Sequence, residues 1–214
     1  MSEFVIITDS ASDLPENVVK ELGVSVIPLT YFVDDVAYTN YPDHSEMPVA
    51  EFYAKLRGGA SVHTSAVNPG DFEDFFKPYL EAGKDILYIG FSSGLSSTYQ
   101  NSKNVAEELS EEFPERKIYT VDSLCASTGG GLLTYLVCKF KETGADIDAC
   151  RDYAERMKDR IVHEFTVDDL GQLKRGGRIS AATALVGSML NIKPLLHVSD
   201  DGRLVSVGKV RGRR

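Results

Sequence analysis

Asp85-Ile86-Leu87-Tyr88-Ile89-Gly90-Phe91 runs directly into Ser92-Ser93-Gly94-Leu95-Ser96-Ser97, and then into Thr98-Tyr99-Gln100. The first part is an apolar run of the kind that forms a buried parallel strand. Ser97-Thr98-Tyr99-Gln100 has the S-x-x-Q spacing of a capping box, which predicts Ser97 as the N-cap of a helix reaching about Glu112. Strand, polar turn and helix therefore follow one another as in a βα unit.

The same grammar repeats on both sides. Upstream, Phe4 to Thr8 reads as a buried strand, Asp9 to Asp13 as a polar loop, and Pro15 to Leu22 as a helix closed by Gly23. Val24 to Val33 reads as a second strand whose Pro28 marks an interruption or an edge. After a turn-rich stretch around Asp43, Met47 to Leu56 has helical spacing. Val62 to Pro69 reads as a polar loop before a helix bearing Phe72, Phe75 and Phe76. Downstream, Ile118 to Val121 is a strand, and helices are predicted from about Leu124 to Lys141 and from Ile147 to Lys158. Strands alternating with helices in this way imply a parallel sheet covered on both faces. From Arg160 the pattern changes. Ile161 to Val167 reads as a strand, Ile179 to Leu190 as an uncharged helix, Lys193 to Val198 as a strand, and Asp200 to Arg203 as a hairpin turn before Leu204 to Val207. The expected organisation is an α/β chain. A Rossmann-like parallel-sheet domain covers residues 1–159, and a smaller α/β domain with a mixed sheet covers 160–214. That second domain stops just after its hairpin and looks incomplete.

Composition narrows the function classes. The 214 residues are 43% hydrophobic and 26% charged, ordinary values for a globular chain, with a net charge of −9 that disfavours nucleic acid and anionic membranes. The exception is Lys209 to Arg214, with four cations in six residues. No apolar run approaches a membrane span, and the N-terminus is no signal peptide, so integral membrane association is not expected and the predicted location is cytoplasmic. Cys125, Cys138 and Cys150 fall in segments that read as helical, have no C-x-x-C spacing and read as buried or idle thiols. No metal site is predicted from the four scattered histidines. No Walker lysine or G-x-G-x-x-G supports nucleotide binding.

The serine turn sits between a strand's carboxyl end and a helix N-terminus, where α/β sheets bind ligands and helix N–H groups favour anions. Four hydroxyls in six residues exceed what capping needs. Thr64-Ser65 is a second hydroxyl pair. Asp9 and Asp122 read as turn-formers and rim residues. Leu173 to Ser180 places Lys174, Arg175 and Arg178 with two glycines before the apolar helix, and Arg178 is expected to point inward or at a partner. That helix is expected to be buried or to line an apolar cavity. A competing reading is a serine hydrolase, because Gly90-Phe91-Ser92-Ser93-Gly94 matches the G-x-S-x-G nucleophile elbow. Against it, the helix starts five residues late, no oxyanion segment is evident, and His163 and His197 fall in the second domain's strands. A phosphate-ligand enzyme on a Rossmann-like sheet is a third class.

Ile7 to Pro15, Thr64-Ser65 with Asn68-Pro69, Ser92 to Gln100, Leu173 to Ser180 and Leu190 to Pro194 together resemble the DegV family of bacterial lipid-binding proteins. Lys209 to Arg213 also fits. The resemblance implies a two-domain α/β protein holding a fatty acid between its domains. The family's carboxylate-binding threonine and serine fall on Thr64 and Ser96, with Ser93 and Ser65 as neighbours. It further implies a carrier rather than an enzyme, without a cofactor. Such a carrier presents the fatty acid to a separate ATP-binding fatty acid kinase subunit that makes an acyl-phosphate for phospholipid synthesis. Arg178 and Arg211 match positions implicated in kinase docking or phosphoryl handling. Two departures are visible. Ser97 replaces the usual glycine of Leu-Ser-Gly-Thr-Tyr, and the chain ends where the family continues.

Overall fold

The computed structural model describes residues 3–168, 170–179 and 192–212. In chain order its elements are β1 (Phe4–Asp9), a 3₁₀ turn (Ser10–Ser12), α1 (Glu16–Leu22), β2 (Ser25–Ile27), β3 (Thr30–Val33), β4 (Val36–Thr39), α2 (Val49–Arg57), β5 (Val62–Ser65) and α3 (Pro69–Glu81). There follow β6 (Asp85–Gly90), α4 (Thr98–Glu112), β7 (Ile118–Asp122), α5 (Thr128–Glu142), α6 (Ile147–Lys158), β8 (Glu164–Phe165), α7 (Gly171–Arg175), β9 (Ile192–Val198) and β10 (Leu204–Arg211).

Four strands form the parallel sheet in the order β2-β1-β6-β7. Every residue of β1 and β6 is buried, as the continuous apolar runs require of strands covered on both faces. Alternation sorts their side chains into two cores. Phe4, Ile6, Leu87 and Ile89 pack with Leu133 and Val137 of α5 and with Ile147 and Cys150 of α6. Val5, Ile7, Ile86 and Tyr88 pack with Phe72 and Phe76 of α3 and with Val105 and Leu109 of α4. Phe72 meets the Tyr88 ring edge-on at 5.3 Å between centroids, so α3 is held to the sheet by an aromatic cluster.

The expected strand Val24–Val33 is two strands in two sheets. β2 ends at Ile27, Pro28 breaks the pairing, and the Leu29 N–H turns to the Ser10 hydroxyl at 2.9 Å. β3 then joins an antiparallel sheet of order β4-β3-β5. The turn to β4 is Asp34-Asp35, both at positive φ, without the glycine or asparagine that ordinarily marks such a hairpin. Val62–Ser65, expected as a loop, is β5. Its residues are largely exposed, so no apolar alternation announced it.

α5 begins at Thr128 rather than Leu124, because Leu124 and Ser127 both take positive φ and cannot continue a helix. Cys125 therefore lies in a loop, whereas Cys138 and Cys150 are helical, and all three are free and buried. Burial pushes the thiols of Cys125 and Cys138 up to about 12 and also raises that of Cys150. The thiolate is the reactive form. The native protein is therefore expected to resist a disulfide reagent such as DTNB at pH 8 and to yield three thiols only in denaturant. Prompt labelling of the native chain would show these residues to be accessible.

Beyond Arg160 a three-stranded sheet runs β10-β9-β8, and its described pairs are antiparallel rather than mixed. β8 covers only Glu164–Phe165 of the expected Ile161–Val167, whereas β10 continues past Val207 to Arg211. The Asp200–Arg203 turn is a hairpin, closed by Ser199 N–H to Arg203 O at 2.9 Å, with Gly202 at φ +73°. The helix expected at 179–190 lies outside the described residues from 180 onward.

Candidate functional site

β1 and β6 are neighbours where the sheet order turns, since the chain leaves β1 toward β2 on one side and leaves β6 toward β7 on the other. Ligands of open α/β sheets bind at the carboxyl ends of strands at such a point. The Asp9–Ser12 loop and the serine turn both emerge there.

The serines of the turn have separate tasks. Ser92 is fully buried; its hydroxyl donates to Gly202 O at 2.8 Å and accepts the Gly94 N–H at 3.2 Å. It joins the turn to the tip of the β9–β10 hairpin and is no nucleophile. His163 Nε2 accepts the Ala126 N–H at 3.3 Å, and His197 Nδ1 lies 2.9 Å from His163 O, so neither histidine serves Ser92. The hydrolase reading is corrected accordingly.

Ser97 does not cap α4. It already has helical φ and ψ, its side chain makes no cap bond, and Gln100 turns forward to Asn104 Oδ1. The capping oxygen is Ser96 Oγ, which accepts the Thr98 N–H at 3.2 Å and lies 2.9 Å from Thr98 Oγ1. Ser96 is half-buried, whereas Ser93 and Ser97 are exposed. The Ser93 N–H is held by Asp122 Oδ1 at 3.1 Å.

Thr64 and Ser65 end β5, which places them on opposite faces of its sheet. Register puts Thr64 beside Tyr31 and Tyr38, whose rings stack at 5.5 Å. Ser65 shares the other face with Phe32 and His63, and its hydroxyl donates to Ala66 O at 3.2 Å. The chain just beyond them is tied to the start of α4, since the Val67 N–H donates to Thr98 Oγ1 at 3.4 Å and Asn101 Nδ2 donates to Val67 O at 2.8 Å. Arg178 approaches from the C-terminal side, its Nε donating to Leu95 O at 3.1 Å, and it also bonds Gly176 O. Ser93, Ser96 and Arg178 thus meet at one turn, with Thr64-Ser65 tethered to it. Arg211, exposed at the end of β10, has no described contact with that turn.

Asp9 is no rim residue. It is buried, and its carboxylate accepts the Tyr88 hydroxyl at 2.7 Å, the Phe91 N–H at 2.8 Å and the Ala11 N–H at 3.0 Å. Burial raises its pKa, opposed by those three hydrogen bonds. Asp9 clamps the strand exit that leads into Ser92, a role invisible in sequence because two of its three partners, Tyr88 and Phe91, lie some eighty residues away. Asp122 does form a turn, accepting the Leu124 N–H at 3.2 Å.

Among the described residues, no carboxylate, lysine or histidine contacts the Ser96 hydroxyl, and no three His, Cys, Asp or Glu side chains gather as a metal site. No described helix is long and apolar enough to cross a membrane. The turn offers hydroxyl donors at a helix start, suited to holding an oxyanion.

A family model described as "Uncharacterised protein, DegV family" matches residues 3–214. A DegV domain-containing protein of Clostridium perfringens is 44% identical over 214 residues, covering 100% of this chain and 73% of the relative. A solved Thermus thermophilus structure, named for fatty acid binding of a DegV family protein, is 34% identical. It superposes at a TM-score of 0.84 over 99% of this chain and 72% of its own. The Streptococcus pneumoniae fatty acid kinase B3 protein, solved loaded with linoleic acid, shares the fold at 20% identity and a TM-score of 0.83, over 98% of this chain and 73% of its own.

Proposed function

The chain belongs to the DegV family, and from that premise we propose that it binds a long-chain fatty acid and presents the carboxylate to a separate ATP-binding kinase subunit. The observation that carries this reading is the serine turn. It is a hydroxyl-rich helix start at the sheet's switch point, in a chain 34% identical to a T. thermophilus protein described as fatty acid binding. Thr64 and Ser96 hold the carboxylate, with Ser93 and Ser65 beside them. Hydroxyl and N–H donors favour the ionised form without a buried cation. Each methylene of the tail taken out of water adds roughly 0.8 kcal/mol, so the tail supplies most of the affinity and the turn supplies orientation.

On this reading the chain is a carrier and the phosphoryl chemistry belongs to its partner. Arg178, already at the turn, handles the incoming phosphoryl group, and Arg211 takes part in docking. The parallel-sheet part (1–159) and the part from 160 onward act as two domains with the acyl chain between them.

Native mass spectrometry of protein purified from bacteria is expected to show a co-purified long-chain fatty acid; lipid-free protein would defeat the proposal. Thr64→Ala combined with Ser96→Ala is expected to weaken fatty acid binding by about 10- to 100-fold, the worth of one hydrogen bond to a charged group or more. Ser96 also caps α4, so Thr64→Ala alone is the cleaner arm. Its hydroxyl is exposed, and its removal is expected to leave the melting temperature unchanged. Unaltered affinity in both variants would move the head-group site elsewhere.

A further inference from the structure

Beneath the serine turn lies a second polar site. Thr8, Asp9, Ala11 and Ser12 from the end of β1, Gly90 and Phe91 from the end of β6, and Ser123 and Cys125 after β7 line a small hollow. The hollow has a volume of about 10 Å³, the room that one water molecule needs. Ser12 is 4% exposed, and its hydroxyl has no hydrogen-bond partner among the described residues. A buried hydroxyl is ordinarily satisfied, so this one points to a ligand. Ser123 is equally buried. Its oxygen accepts the Cys125 N–H at 3.1 Å and its hydroxyl also bonds the Cys125 side chain, which leaves the oxygen one lone pair to accept a further bond. Asp9 Oδ1 takes only the Ala11 N–H there, which leaves a lone pair to accept another bond.

We infer that this hollow is a binding site for one structural water, held by the Ser12 hydroxyl, the Ser123 hydroxyl and the Asp9 carboxylate. The occupant must both give and take hydrogen bonds, because it faces two hydroxyls and a carboxylate. Asp9 repels an anion, and the three donors already aimed at that carboxylate leave it no need of a cation. Such a water joins the three loops that set the serine turn. Asp9 holds the Phe91 N–H, and Cys125 O receives the Ser92 N–H at 3.1 Å. It therefore acts as a keystone under the turn, independently of what the turn binds.

A high-resolution crystal structure of the wild-type protein is expected to show one ordered water within hydrogen-bond distance of Ser12 Oγ. A peak-free hollow, or a Ser12 hydroxyl rotated onto a protein acceptor, overturns the inference. Stability gives a second test with opposite signs. If the hydroxyl is truly unpartnered, Ser12→Ala relieves a buried unsatisfied group and raises the melting temperature. If it anchors a water, the variant loses that bond and melts about 2–4 °C lower. A melting temperature equal to or above wild type overturns the proposal. Should Ser12→Ala fail to fold, the wild-type density alone decides.

Discussion

Gly94→Ala is expected to melt about 4–16 °C below wild type and to bind fatty acid at least tenfold more weakly, from about 2–4 kcal/mol of lost stability at some 2–4 °C per kcal/mol. A Cβ built on Gly94 would stand 2.7 Å from Asp201 O and 2.8 Å from Gly202 O. Both are backbone atoms of the β9–β10 hairpin turn and cannot swing aside as a side chain would. The methyl group must push the hairpin away from the serine turn, and the bond most exposed to that shift is Ser92 Oγ to Gly202 O at 2.8 Å. Overpacking of this kind costs about 1–3 kcal/mol, and the stretched hydrogen bond adds about 1 kcal/mol. Circular dichroism melts and a fatty acid titration check both parts. A melting temperature within a degree of wild type would show that the hairpin does not rest on Gly94. Normal stability with lost binding would place the effect in the ligand rather than in the contact between sheets.

The contact itself could not be read from the chain, and the reason is general. Elements whose own residues carry the signal were legible. The apolar runs of β1 and β6 predicted a buried parallel sheet, Gly23 closed α1 as expected, and the Asp200–Arg203 hairpin formed as its sequence indicates. Elements stabilised by distant partners were not. β5 is an exposed Val-His-Thr-Ser segment made a strand by Tyr31 and its neighbours in β3, and β4 follows a turn of two aspartates. At the candidate site, the serine turn was found from its hydroxyl density and its place between strand and helix. Which serine does what depends on backbone angles that spacing does not encode. Ser97 matched a capping box yet sits already inside helical φ and ψ, so the cap passed to Ser96. Ser92 matched an elbow yet gives its proton to a carbonyl 110 residues away.

Asp9→Asn is the other change expected to have a large effect, and its sign with pH tests the cause. The Asp9 carboxylate accepts three hydrogen bonds, from Tyr88 Oη, Phe91 N and Ala11 N. An amide has a single acceptor oxygen, and its NH₂ must face one of the two backbone N–H groups whichever way it flips. The donor left without an acceptor in a buried site costs about 1–3 kcal/mol, or some 2–12 °C of melting temperature. The Phe91 N–H sits one residue before Ser92, so the turn loosens and fatty acid affinity falls with stability. The wild-type carboxyl adds a pH dependence that the amide lacks. Burial raises its folded-state pKa above the ordinary carboxylate value of about 3.9. The folded chain therefore binds the proton more tightly than the unfolded chain does. That contribution to stability is fully present below the unfolded value and is lost as pH rises through the folded one. The stability gap between wild type and Asp9→Asn is accordingly expected to be widest in acid and to narrow as the pH is raised. Chemical denaturation of both proteins across that range measures it. A gap that widens with pH would mean that the three donors, rather than burial, govern the ionisation of Asp9.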